Sequence, residues 1–523
     1  MAMTETRPAP EAAPVATSPS APAERPGLAG WFSTSDHKRV GRMFIATSLV
    51  FLLVSGVVGE LLAVERTSAG LDLFDGNDFA QVWTFHGESA LWLFLVPMLL
   101  GIATFVVPLQ VGSPEIAFPR GSATAYWAYL VSGGLLLGAY LADGGPTGSE
   151  FGAVDLHLLA LAGLTIAMLV GVVSVVTTAL TMRAGGMTLM DVPAFTWSIV
   201  VGGSLTLFTA PVLLARLAVL YITHHFGGSY DLNDYGAIGW MFSVPQVYLV
   251  AVPAAGVALE IVPVVARRPL RAHGAGMVVI ALLGVVGLGA WAQVPSTFDD
   301  LLYVAIGLAS VLPALALLGL LADTLRTGRP DPRAALLFAI GSVLLLLAGA
   351  VVGGLSAIDG LDLRGTVWES AQVHLVLGGA AWLGALAALW WWAPKLYGAV
   401  LSEAAGVLVF LATFAGVIAL AVNDLVNGLG NDTPLRAVGD PALADAESLN
   451  MLGAIGGGLV ALGAVVVVLV LLGTLRGGRG VAADPWGGYT LEWSTTSPPP
   501  PSNFSAPVPP VSSPTPLLDE VTT

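Results

Sequence analysis

Residues 81–109 read QVWTFHGESALWLFLVPMLLGIATFVVPL. The run exceeds the ~20 apolar residues that carry a helix across a bilayer. Its only ionisable side chains are His86 and Glu88. A group of that kind inside a span is costly to bury and marks a functional position by default. Residues 368–393 repeat the pattern: a long apolar run with His374 a few residues from its start.

The rest of the chain is built the same way. Its 523 residues are 55% hydrophobic and only 11% charged, with a mean hydropathy of +0.81. A soluble domain carries about 25% charged residues, so the composition specifies a polytopic membrane protein, and hence an all-α bundle. Twelve apolar spans can be drawn, at roughly 40–64, 81–109, 124–142, 154–182, 192–222, 237–265, 274–294, 300–325, 334–356, 368–393, 400–422 and 449–475. We read residues 31–480 as the transmembrane domain. Residues 1–30, rich in Ala, Pro and Ser, read as a disordered tail, and 481–523 as a Pro-rich, polyproline-like surface tail.

There are no cysteines. That excludes disulfides, iron–sulfur clusters and thiolate ligation of haem or copper within the chain. The net charge of −15, with cations scattered over loops, gives no basic face for nucleic acid. Those cations alternate. One set of loops carries Lys38, Arg39 and Arg42; Arg120; Arg183; Arg267, Arg268 and Arg271; Arg326, Arg329 and Arg333; Lys395; and Arg476 and Arg479. The other set carries only Arg66, Arg364 and Arg436 and is acidic. The positive-inside rule then places both termini in the cytoplasm of a plasma membrane. In this orientation His86 and His374 lie at similar depth below the outer surface.

Two imidazoles at one depth on two helices could share a metal, and a haem iron takes only two axial ligands from protein. His157, near the outer start of the fourth span, is a rival candidate. Each histidine could instead be satisfied by a backbone carbonyl, and the residues alone leave the choice open.

A set of motifs in fixed order narrows it. They are GWFSTSDHKRVGRMF (30–44), TFHG (84–87), PLQVGSPEIAFPRGSA (108–123), TTALTMRAGGMTLMDVPAFTW (177–197), FSVPQVY (242–248), WAQVPST (291–297), TVWESAQVHLVL (366–377) and DPWGGYTLEWSTTSPPPPSNF (484–504). Together they resemble subunit I of the haem–copper respiratory oxidases, cytochrome c oxidase type, over residues 30–505. The resemblance implies twelve helices, with a low-spin haem whose axial iron ligands are His86 and His374 and whose propionate is met by Arg436.

It also implies a second site, a high-spin haem beside copper, and there this chain departs from the pattern. Val244 stands in place of the first copper histidine, Gln293 and Val294 in place of the next two, and Gln372 in place of the high-spin haem ligand. Valine has no ligating atom, and an amide oxygen is a poor substitute for imidazole. Gln246 replaces a proton-carrying glutamate and cannot titrate, Leu317 falls at a lysine position, and Gly121–Ala123 fall at asparagines. Arg364 and Gly365 replace a magnesium-binding pair, and Leu435 one of two propionate arginines. Glu115 stands for an entrance aspartate. Tyr248 survives without the histidine it would cross-link to, which leaves it a packing or interfacial role.

The expected cofactor is therefore one low-spin haem, of a or b type, with no copper and no second haem. The expected function is electron transfer within a respiratory chain, without oxygen reduction and with no catalytic residues of its own. Expected partners are membrane lipid, subunit II-like and subunit III-like chains, and cytochrome c or a similar outer-side donor. The alternatives are an inactive scaffold or assembly partner of a complete oxidase, or an oxidase with an atypical metal site. Glu88 either tunes the haem potential, joins a proton-coupled step, or reaches the outer interface or Arg66, and Glu369 is expected at the interface.

Overall fold

The computed structural model describes residues 27–67, 73–146, 148–227, 235, 245–291, 301–430, 432, 447–476, 480–508 and 510–522. Helices account for all the regular structure there, with no strand among the described residues. This is the expected outcome for a chain in lipid, where every backbone N–H and C=O must find a partner within its own helix.

Residues 27–34 hold a short helix, α1 (Leu28–Phe32). In the rest, α2 (His37–Glu65) is followed by one long rod. The rod runs from α3 (Gly76–Glu88) through a π-helical segment (Ser89–Leu95) into α4 (Val96–Gln110). Then come α5 (Pro119–Leu141), α6 (Phe151–Thr181), α7 (Ala194–His225), α8 (Pro245–Val265), α9 (His273–Trp291), α10 (Leu301–Ala309), α11 (Val311–Thr327) and α12 (Ala334–Ser356). A second composite rod follows: α13 (Trp368–Val373), a π segment (His374–Ala381) and α14 (Trp382–Tyr397). The last long helices are α15 (Glu403–Leu429) and α16 (Glu447–Arg476).

Each of the twelve apolar stretches thus contains helix. Among the described residues, nine helices are long and apolar enough to cross a membrane, and Val250–Val265 and His273–Gly287 are shorter apolar helices. Pro119–Leu141 carries serines, threonine and tyrosines along its length, which dilute its hydropathy.

Sequence neighbours pack side by side: α5 on α6, α6 on α7, α7 on α8, α15 on α16. The last long helix, α16, returns to pack on α2. Large apolar side chains such as Val50, Phe208 and Leu469 face outward, as a lipid-facing surface requires. Lipid supplies little hydrophobic drive between helices, so close packing of small residues matters more. Gly416 of α15 and Gly456 of α16 show it. A Cβ on either would fall 2.6 or 2.7 Å from the other's carbonyl oxygen.

Capping residues set where the site-bearing helices begin. Asp75 accepts from the backbone N–H of Asn77 and Asp78 at 2.9 Å and starts α3. Asp36 does the same for α2 through Lys38 N–H at 3.0 Å.

The C-terminal stretch differs from its expected form as a surface tail. Leu491, Glu492, Trp493 and Asn503 are buried. The Lys395 ammonium donates to the carbonyls of Ala483, Thr495 and Thr496 at 2.9, 2.6 and 3.4 Å. Asn503 donates to the Ser113 carbonyl at 2.8 Å and accepts from Lys38 at 2.9 Å. The Glu492 carboxylate accepts from Gln110 at 3.0 Å and Trp392 at 3.2 Å. Prolines averaged over this stretch suggested a solvated tail, but its tryptophans and Asn503 bind it to the ends of α2, α4 and α14. Residues 1–26, expected to be a tail, lie outside the described residues.

Candidate functional site

His86 lies three residues before the first π segment, and His374 opens the second. A π turn carries an extra residue per turn and often occurs at functional positions. The two π segments touch, with Phe94 of one edge-on to Trp382 beside the other at 4.9 Å between ring centroids. Between these rods, α2 and the α15–α16 pair lies a cavity of about 490 Å³. His86 and His374 both line it, with Phe94, Trp382 and mainly apolar neighbours.

Both imidazoles are oriented from behind. His86 Nδ1 is 3.0 Å from the Ser55 carbonyl oxygen of α2. A carbonyl only accepts, so Nδ1 carries the proton and Nε2 keeps the lone pair. His374 Nδ1 is 2.9 Å from Asp424 Oδ2 of α15, and a carboxylate imposes the same tautomer. Asp424, 1% exposed, also accepts from Arg66 Nη1 at 2.9 Å and from Asn423 Nδ2 at 3.2 Å. Gly59 makes room for the His86 ring: a Cβ there would stand 2.5 Å from its Cε1.

This arrangement has defined chemistry. Two histidines whose Nδ1–H groups are committed to acceptors, leaving Nε2 as the lone-pair nitrogen, line one largely apolar space of ligand size. It suits a flat apolar cofactor whose metal takes one nitrogen from each of two helices. Among the described residues, no group of three His, Cys, Asp or Glu side chains is placed to hold a metal ion.

Several expected residues fall elsewhere. His157, the rival ligand, is fully buried, and its Nε2 lies 3.2 Å from both oxygens of Glu88. Glu88 does not reach Arg66. It lines the cavity and accepts from Tyr140 at 2.9 Å and from the Tyr235 hydroxyl. The guanidinium of Arg66 instead pairs with Asp424. Glu369 lines the same cavity, as does Gly365. Gln372 lies two residues before His374, about 200° around the helix, and does not line the cavity. Leu317 is buried, Glu115 is exposed, and Arg364 donates to the Ser356 carbonyl at 3.1 Å. Val244, Gln293, Val294, Leu435 and Arg436 lie outside the described residues, as do the side chains of Gln246 and Tyr248.

The sequence reading missed Ser55, Gly59, Asp424 and Arg66 as a supporting set. Asp424 had a visible signal: it is an acidic residue just past the apolar run drawn at 400–422, within the helix α15.

Comparison with known proteins places the whole chain. The family model for cytochrome c and quinol oxidase polypeptide I matches residues 39–459. A Streptomyces avermitilis chain named as a cytochrome c oxidase subunit 1-beta is 31% identical over 95% of this chain and 93% of its own length. Cytochrome c oxidase subunit 1 of Corynebacterium efficiens is 30% identical, covering 92% of this chain and 88% of its own. Heme-copper oxidase subunit I+III of Aeropyrum pernix is 31% identical over 91% of this chain and 61% of its own. With a match that spans most of the helical bundle, the chain belongs to the cytochrome c and quinol oxidase polypeptide I family, as a prokaryotic, multi-pass, cytochrome c oxidase subunit I-like membrane protein of the respiratory chain.

Proposed function

We propose that this subunit holds one low-spin haem between His86 and His374 and passes electrons through it without reducing oxygen. One observation carries the proposal: two histidines of fixed tautomer share one apolar cavity of about 490 Å³. A haem ligated on both faces supplies one-electron transfer and leaves no open iron position for oxygen.

The protein's residues do the rest. Ser55 and Asp424 orient the two rings before any cofactor arrives, so little ordering remains when it binds. Phe94 and Trp382 give the cavity apolar aromatic walls, and α2 and α16 bound it. Asp424 makes His374 the more electron-rich ligand, because its Nδ1–H bonds to a carboxylate where that of His86 bonds to a neutral carbonyl.

The absence of oxygen chemistry rests on sequence. Val244, Gln293, Val294 and Gln372 stand at the positions of the copper and high-spin haem histidines, and Gln246 at the proton-carrying glutamate. Arg436 completes the assignment as a propionate partner. The electron donor is cytochrome c or a similar outer-side protein, reached with subunit II-like and subunit III-like chains in a plasma membrane. The alternating cations support an orientation with both termini cytoplasmic.

The test is a reduced-minus-oxidised optical spectrum of the purified protein, with and without carbon monoxide, together with iron and copper content. One haem per chain, no carbon monoxide shift and no copper support the proposal. A carbon monoxide-binding haem with copper defeats it in favour of an atypical oxidase. A chain without haem defeats it in favour of a scaffold.

A further inference from the structure

Resting on that haem assignment, the cavity wall singles out a residue no family motif marked. Among the described residues, the lining includes the carboxyl side chains of Glu60, Glu88 and Glu369 but a single Lys or Arg, Arg66, at the end of α2. Arg66 is only 7% exposed. Its Nη1 is committed to Asp424 at 2.9 Å. Its Nη2 is buried and has no hydrogen-bond acceptor among the described residues. Nη2 lies 3.9 Å from Asp432 Oδ2, which is ion-pair distance without a hydrogen bond. A buried guanidinium N–H without an acceptor is costly, and its planar fork matches a carboxylate.

A haem brings two propionate carboxylates into a cavity already lined by acidic groups. Each must meet water or a cation. We propose that Arg66 is a two-faced anchor: Nη1 holds Asp424, and through it the His374 ring, while Nη2 binds a haem propionate. One guanidinium would then fix both the edge of the macrocycle and one of its axial ligands. Glu60, whose Oε2 is buried without a hydrogen bond, and Glu369 reinforce the choice, since neither carboxyl attracts a propionate.

The experiment uses the full-length protein prepared without haem in lipid nanodiscs, titrated with ferric protoporphyrin and with its dimethyl ester. The ester keeps the iron and the ring but removes both negative charges. A charge-assisted bond lost from a buried site predicts that the diacid binds about tenfold tighter than the diester. Arg66→Gln should shrink that preference to the part that Arg436 supplies, while keeping the two-histidine optical spectrum. A diacid and a diester that bind the unsubstituted protein equally, both with that spectrum, overturn the role of Arg66 and leave the haem assignment standing. A preference that is undiminished in Arg66→Gln also overturns it. Binding of neither compound by the unsubstituted protein overturns both. The diester comparison needs no substitution, so equal binding overturns the role even if Arg66→Gln fails to fold. In that case Arg66→Lys, which keeps the charge but not the fork, replaces it and should also shrink the preference.

Discussion

Asp424→Asn changes one atom and tests the support of the proposed haem ligand. The carboxylate accepts from three donors: His374 Nδ1 at 2.9 Å, Arg66 Nη1 at 2.9 Å and Asn423 Nδ2 at 3.2 Å. An amide of the same shape has one accepting oxygen. If that oxygen faces His374, the new NH2 group meets the Arg66 guanidinium, donor against donor. If the amide flips, its NH2 meets His374 Nδ1–H, and relief requires moving that proton to Nε2, the nitrogen the iron needs. An orphaned buried donor costs about 1–3 kcal/mol, and an unpaired buried charge about 3–5 kcal/mol. Asp432, 3.9 Å from Nη2, keeps part of the Arg66 charge compensated, so the lower range applies. Loss of a second partner behind a metal-bound histidine typically costs about 10–100-fold in affinity. We expect Asp424→Asn to release haem about 10–100-fold more readily and to raise its midpoint potential, since a neutral partner pushes less electron density onto the ligand. Haem transfer to an acceptor protein and a spectroscopic redox titration measure the two effects. Retention within about twofold of the unsubstituted protein, at an unchanged potential, would refute the reasoning.

Gly59→Ala should displace the His86 ring, because the new Cβ would stand 2.5 Å from Cε1. Overpacking of this kind costs about 1–3 kcal/mol, and the optical spectrum should show a loss of low-spin haem with emerging carbon monoxide binding. At the other end of the bundle, burial raises the pKa of the Glu492 carboxyl above the usual carboxylate value. The folded state therefore holds this proton more tightly than the unfolded chain does. Its contribution to stability is fully present below the ordinary carboxylate pKa and is lost as pH rises toward the raised one. Glu492→Gln keeps an accepting oxygen for Gln110 and Trp392. It should flatten the fall in thermal stability across that window, as read by melts in detergent at stepped pH.

Much of this was legible in the chain because it is local. The apolar runs and the two histidines at matched depth each sit within one helix, and lipid leaves a long apolar run no alternative to helix. The unforeseen parts are contacts between distant segments. Asp424 and His374 are separated by 50 residues and Arg66 and Asp424 by 358, and nothing in either neighbourhood names the partner. Glu88 shows the limit most clearly. Its burial could be read from the apolar run, but its partners could not, and they proved to be Tyr140, His157 and Tyr235 rather than Arg66. The C-terminal stretch failed for another reason. Composition averages over prolines and serines, whereas docking is decided by a few residues such as Trp486, whose indole N–H reaches the Trp391 carbonyl at 2.8 Å.

The central claim is that His86 and His374 are the two axial ligands of one haem, and axial-ligand replacement tests it most directly. In His374→Gly the optical spectrum should change from low-spin to five-coordinate, carbon monoxide should bind, and added imidazole should restore the low-spin form. A His374→Gly protein that keeps an unaltered low-spin spectrum and refuses carbon monoxide would contradict the account.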